Sequence, residues 1–153
     1  MLRISKLTDY ATVLLAHLAA DGAGMKTALA LAEDSHVGLP TVSKLLQELQ
    51  RAGLVSATRG SHGGYRLARS SDDITAADII DAVEGPVGLT ECASHPGQCE
   101  LEANCRVGPN WQRVSHAVRD VLMRITLTEL SSQQPQANQA LRVTDSTATR
   151  VTV

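Results

Sequence analysis

The chain has 153 residues, 43% of them hydrophobic but only 2% aromatic, so its core must be built from Leu, Val, Ile and Ala. No basic-then-apolar leader with a small-residue cleavage site opens it, and no apolar run nears a membrane span, so a cytoplasmic chain with no membrane contact is expected. The net charge of −2 by itself says nothing about nucleic acid, but residues 1–69 hold eight Lys/Arg against five Asp/Glu, residues 70–108 one Arg against eight acids, and residues 109–153 five Arg against three acids.

In the first element, Leu7, Ala11, Leu14, Leu15 and Leu18 make a helical stripe over residues 3–20. Ser5 is a candidate N-cap, Asp21-Gly22 a stop, and Asp9 points roughly opposite the stripe. A short second helix is expected over 26–35 with Thr27 as cap. Gly38 then breaks the chain before a third helix, in which Pro40 fits the first turn, Val42, Leu45, Leu46 and Leu49 form the buried stripe, and Gly53 is a stop. Two strand-like runs, LVSAT (54–58) and YRLAR (65–69), flank the glycine-rich turn RGSHGG. Three helices followed by a hairpin is the order of a winged helix-turn-helix.

Residues 75–83, TAADIIDAV, predict a fourth helix, and Pro109 opens a long fifth one. Trp111, Val114, Val118, Val121 and Ile125 form a heptad-like seam there, with Leu122 and Leu130 beside it, which suits pairing with a second copy. From Ser131 the sequence is polar and Gln/Ser/Thr-rich, as in a mobile tail. The fold class expected is mainly α with a small β-hairpin. Residues 1–70 would bind DNA, 71–130 would carry a cofactor loop and a dimerisation helix, and 131–153 would be a disordered tail.

Opposite the apolar stripe of the third helix lie Lys44, Gln47 and Arg51, flanked by Thr41, Ser43 and Glu48. A recognition helix offers base edges its N-terminal side chains and phosphates its basic ones. Thr41, Ser43, Lys44 and Gln47 are thus candidate readers and Arg51 a candidate backbone contact, although a solvated helix face has the same composition. The hairpin favours DNA. Arg59, His62 and Arg66 cluster around Gly60, Gly63 and Gly64, which permit positive φ and close approach to another surface, as a wing entering the minor groove requires.

The chain's three cysteines, Cys92, Cys99 and Cys105, fall in one glycine-punctuated loop with the spacing C-x6-C-x5-C. An odd count in a reducing compartment argues against a disulfide framework and toward metal or redox chemistry. Thiolates bind both zinc and iron–sulfur clusters, and the C-x2-C knuckles of zinc ribbons and ferredoxins are absent. The bland alternative is three unliganded thiols.

The segments LTDYA, GLPTVSKLLQELQRAGLV, RGSHGGYRLAR, ITAADIIDAVEG and ITLTEL, with the three cysteines, resemble the iron–sulfur regulators of the IscR/NsrR type over about residues 1–130. The likeness is nearest to the branch regulating the SUF iron–sulfur assembly operon. The resemblance implies a dimeric winged-helix transcription factor, repressor or switch, that holds a 2Fe-2S or 4Fe-4S cluster on Cys92, Cys99 and Cys105 and binds a double-stranded DNA operator as a homodimer. In some relatives a histidine follows the last cysteine by three residues, and here that position is Gly108. His95, His116, Glu100 and Glu102 are alternatives. Some relatives of the nitric-oxide-sensing type place an acid at the Asp9 position that reaches the cluster of the other subunit, which makes Asp9 the candidate fourth ligand, against the reading as a plain surface acid. Rival readings are a zinc-stabilised or cluster-free DNA-binding regulator and an electron-transfer or cluster-carrier protein, which would need no wing. No Cys/His/acid arrangement supports catalysis.

Overall fold

In the computed structural model, residues 3–22, 24–60, 62–90, 93, 97, 99 and 105–132 are described. Cys92, His95, Glu100, Glu102 and the polar tail from residue 133 lie outside them.

Helix α1 (Lys6–Ala20) starts where the Ser5 hydroxyl accepts the Thr8 N–H, and buries Thr8, Ala11, Leu14, Leu15 and Leu18. Helix α2 (Ala28–Ser35) is capped by Thr27, whose hydroxyl accepts the Ala30 N–H at 3.1 Å. It ends at His36, in the left-handed region at φ 56°. Asn, Asp and His are the side chains most often found in that region, which shapes the turn into α3 (Leu39–Arg51). Gly38 caps α3 at φ −57°, so its role is not conformational. Val42, Leu45, Leu46 and Leu49 are fully buried against α1 and α2.

Strands β1 (Val55–Thr58) and β2 (Gly64–Leu67) pair antiparallel, Val55 opposite Leu67 and Thr58 opposite Gly64. Lys26 adds a one-residue third strand: its N–H donates to the Tyr65 carbonyl at 3.0 Å and its carbonyl accepts the Tyr65 N–H at 2.8 Å. The fold is therefore the mainly helical, two-stranded winged helix that the element order predicts.

Helix α4 (Ala76–Val83) opens on a reciprocal capping box between Thr75 and Asp78. The expected long helix is two. Helix α5 (Gly108–Leu122) stops, and α6 (Leu127–Ser131) restarts on a second capping box, Thr126 with Glu129. The break has a tertiary cause. Leu127 is fully buried in the same core as α1–α3, and its N–H donates to the Ile74 carbonyl at 2.7 Å while the Ala76 N–H donates to Ile125 at 2.8 Å. Ile125 and Leu130 therefore leave the heptad seam. Ile74 and Ile79 join that core too, so it extends well beyond the hairpin. Among the described residues no helix is long and apolar enough to cross a membrane.

Candidate nucleic-acid interface and cysteine loop

Burying one side of α3 fixes what its other side offers. Lys44, Gln47 and Arg51 are exposed, while Thr41 and Ser43 are half-buried. Lys44 is 3.9 Å from the Glu48 carboxylate one turn on, an exposed pair too loose to hold the ammonium away from a phosphate.

Arg59 and His62 are exposed at the hairpin tip. Arg66, on β2, is also exposed and its Nε donates to the hydroxyl of its cross-strand partner Ser56 at 3.3 Å. The glycines differ from one another. Only Gly60 has the positive φ, +116°, that the sequence allows for all three. A Cβ on Gly63 would stand 2.3 Å from the Thr58 carbonyl oxygen, and one on Gly64 2.7 Å from that of Lys26. The close approach these two permit is thus within the chain, where the hairpin closes and docks on Lys26. The Lys26 ammonium in turn bonds Asp21 at 3.0 Å and Asp34 at 2.5 Å, so the root of the wing is tied to the ends of α1 and α2. Hydrogen bonding and charge from Lys26 hold the Asp34 carboxyl below its usual range.

Cys99 and Cys105 are half-buried free thiols. Asp9 is exposed on α1, and His116 is exposed on α5. Among the described residues no three His, Cys, Asp or Glu side chains gather in a metal-holding group, so one protomer does not bring Asp9, Cys99 and Cys105 together in such a group. Two thiols outside any disulfide and half open to solvent are chemically fit to bind iron as thiolates, with Cys92 as the third donor the sequence supplies.

The base of this loop is tied down by groups that sequence patterns do not reveal. At the end of α4 the Glu84 carboxylate accepts the Ser5 N–H at 3.1 Å and a very short hydrogen bond from the buried Thr8 hydroxyl. The Thr8 bond, with help from Ser5 and against partial desolvation, holds the Glu84 carboxyl below its usual range. Gly85 follows at φ +88°, where only glycine is free of strain. Arg119 on α5 grips Asp81 on α4 with two parallel hydrogen bonds, 2.7 and 2.5 Å. The Ser115 hydroxyl accepts the Leu89 N–H at 3.1 Å. A cleft of about 530 Å³ opens between these parts, lined by Ile4, Ile80, Val87, Val118 and Leu122 among others. Along α5, only Gly108 and Ser115 are buried, while Trp111, Val114 and Val121 are 44–46% exposed.

A sequence model of the Rrf2 family, described as iron-dependent transcriptional regulators, matches residues 4–133. The transcriptional regulator CymR of Bacillus subtilis is 33% identical over 134 residues, 86% of this chain and 91% of its own. The regulator IscR of Vibrio cholerae is 34% identical over 115 residues, 75% of this chain and 64% of its own. The structure of CymR, described as the global cysteine regulator of B. subtilis, superposes with a TM-score of 0.67 at 32% identity, covering 88% of this chain and 99% of that one. The IscR structure from T. potens gives 0.61 at 29% identity, covering 84% and 85%. With a winged helix, a three-cysteine segment and a family match across nearly all the described residues, the chain belongs to the Rrf2 family of DNA-binding transcriptional regulators, which are not enzymes.

Proposed function

We propose that this regulator is a cytoplasmic homodimer that senses iron–sulfur status and controls iron–sulfur assembly genes of the SUF kind. The observation that carries the reading is the chain's whole complement of thiols gathered in one fourteen-residue stretch of sequence, with Cys99 and Cys105 free and half-buried, in a chain that forms a complete winged helix. Cys92, Cys99 and Cys105 would hold the cluster, which when bound supplies redox-active, oxidant-sensitive iron. Asp9 of the second protomer completes the ligand set. A carboxylate suits iron less well than a thiolate, so that position is the labile one.

The chain's own residues carry the response. Glu84 joins the segment that leads to the cysteines to Thr8, the residue beside Asp9, and to Ser5, one turn before it on α1. Helix α1 packs directly on α3, so a shift at either end of this connection moves the recognition helix relative to its symmetry mate. Thr41, Ser43, Lys44 and Gln47 read base edges, Arg51 and Arg66 contact the backbone, and Arg59 and His62 serve the wing. The apolar stripe Trp111, Val114, Val118 and Val121 pairs with its copy.

Anaerobic purification, visible and Mössbauer spectra, and operator binding by loaded and stripped protein test this reading. A thiolate-ligated iron chromophore, lost in Cys92→Ala, Cys99→Ala and Cys105→Ala and accompanied by changed operator affinity, is expected. A colourless protein holding zinc, or one whose DNA binding ignores the thiols, overturns it. The relation to CymR makes the cluster-free regulator the second reading.

A further inference from the structure

We infer that Leu39 is a specificity-determining residue that reads the C5-methyl group of a thymine in each operator half-site. Leu39 is the first residue of α3 and lies three positions before Val42, where helical spacing would enrol it in the buried stripe. Yet it is 41% exposed, whereas Val42, Leu45, Leu46 and Leu49 are at 0%, and it is not among the half-buried side chains that pack against the core.

At about 100° per residue, Leu39, Ser43 and Gln47 follow one another in steps of about 40°, and Pro40 and Lys44 complete an arc of about 140° on the outer side of α3. Leu39 thus stands at the border between the two faces, about 20° from the buried Leu46 and about 40° from the candidate reader Ser43, with its side chain open to solvent, at the helix end that contributes most base contacts in helix-turn-helix proteins. Ser43, Lys44 and Gln47 can donate or accept hydrogen bonds there, but Leu39 can do neither. In the major groove the thymine methyl is the feature an aliphatic side chain can recognise. Burial of Leu39 against that methyl removes apolar surface from water on both sides, an exchange the free protein leaves undone.

The inference rests on α3 being the recognition helix. An operator is selected from random duplexes with the full-length wild-type chain, and each thymine is then replaced in turn by deoxyuridine, which removes only the methyl. One thymine per half-site should lose about fourfold in affinity for the wild type, the ratio expected for one buried methyl. Leu39→Ala should lose less than twofold at that position, and Leu39→Met should keep most of the methyl dependence. Loss of the same size in wild type and Leu39→Ala at every thymine overturns the inference. So does a Leu39→Ala protein that sediments as a monomer, which would place Leu39 in a contact between copies. Gln47→Ala, measured in parallel, separates the two levels: operator discrimination undiminished in both variants removes α3 as the reader, whereas discrimination lost only in Gln47→Ala removes Leu39 alone. If Leu39→Ala melts early, the deoxyuridine scan with Leu39→Met decides, and absence of any methyl-sensitive thymine there and in wild type counts against the inference.

Discussion

The two ends of the molecule solve the burial problem differently. In α1–α3 the inner faces are closed: Leu14, Leu15, Leu18, Leu45, Leu46 and Leu49 are at 0–1% exposure, and every one finds its neighbours within the chain. In α5 the apolar side is open, with Trp111 at 46%, Val114 at 44% and Val121 at 45%. Among the described residues, α5 is tied to its own chain by the Arg119 fork on Asp81 and the Ser115 hydroxyl on the Leu89 backbone, with Val118 and Leu122 lining the cleft beside Ile80. The core under the winged helix is closed by its own chain, with Ile74, Ile79 and Leu127 contributing from beyond the hairpin, while the apolar stripe of α5 is left open. A part that must respond to a ligand benefits from that arrangement, since regions with few internal apolar contacts are those whose position small free energies can shift.

The contrast breaks most visibly at the seam. Val118→Asp combined with Val121→Asp should give a monomer in sedimentation, because placing two unpaired carboxylates in an apolar pairing face costs several kcal/mol. The same protein should keep its thermal transition within a few degrees, since neither residue belongs to the closed core. An intact dimer would show that α5 pairs by another face.

Leu46→Ala tests the other half. It should lower unfolding free energy by about 2–5 kcal/mol in denaturant titration, the range for emptying a buried leucine site. Val114→Ala, a truncation on the exposed stripe, should change the unfolding of isolated protomers by less than about 0.5 kcal/mol. Equal effects would erase the distinction between a closed and an open region.

How far such a contrast is legible in sequence depends on the distance between interacting residues. Stripes on α1 and α3 were readable because helical neighbours recur every three or four positions, and their caps were readable because Ser5 and Thr27 act three residues away. The candidate readers on α3, the wing and the cluster of cysteines were legible in the same way, as local patterns. The break after Leu122 was not, since it is fixed by pairing of Thr126 with Thr75 across the chain. Nor were the docking of the hairpin on Lys26, the Asp81–Arg119 fork or the Glu84 bonds to Ser5 and Thr8, whose partners are 38 to 79 positions apart and leave no period. The turn residue His36 carries the left-handed conformation although Gly38, two places on, is the residue that composition would nominate.

The Asp81–Arg119 fork sharpens the comparison, because it joins α4, whose Ile79 lies in the closed core, to the open helix α5. Arg119 carries its charge over an even wider pH range than usual, chiefly through its hydrogen bonds with Asp81. A double-mutant cycle with Asp81→Ala and Arg119→Ala should give a coupling of about 1 kcal/mol, above most surface pairs because the geometry is bidentate. Hydrogen exchange should accelerate in α5 and leave α3 unchanged. Acceleration in both would mean that α5 is part of the cooperative core.

The smallest effect is expected at the second tie, and pH isolates it. Glu84 has a folded-state pKa below its ordinary value because its carboxylate accepts hydrogen bonds from Thr8 and Ser5. A carboxyl depressed on folding binds fewer protons in the native state, so its stabilisation is complete above the unfolded value and is lost as pH falls through the folded one. Wild type and Glu84→Gln should therefore differ in melting temperature by a constant amount above the ordinary Glu range and converge as pH falls below that range and through the lower folded-state value. Asp34 is depressed as well, but it is present in both proteins and drops out of the difference. Because Glu84 is an exposed residue, the gap should be small, under about 1 kcal/mol. Thr8→Val removes the principal donor while keeping shape, and should shrink the pH-dependent part without abolishing it, since the Ser5 N–H still donates. A gap that persists unchanged to pH 3 would mean that Glu84 is held by packing instead of by its charge, and the link between α1 and the cysteine loop would then be insensitive to protonation.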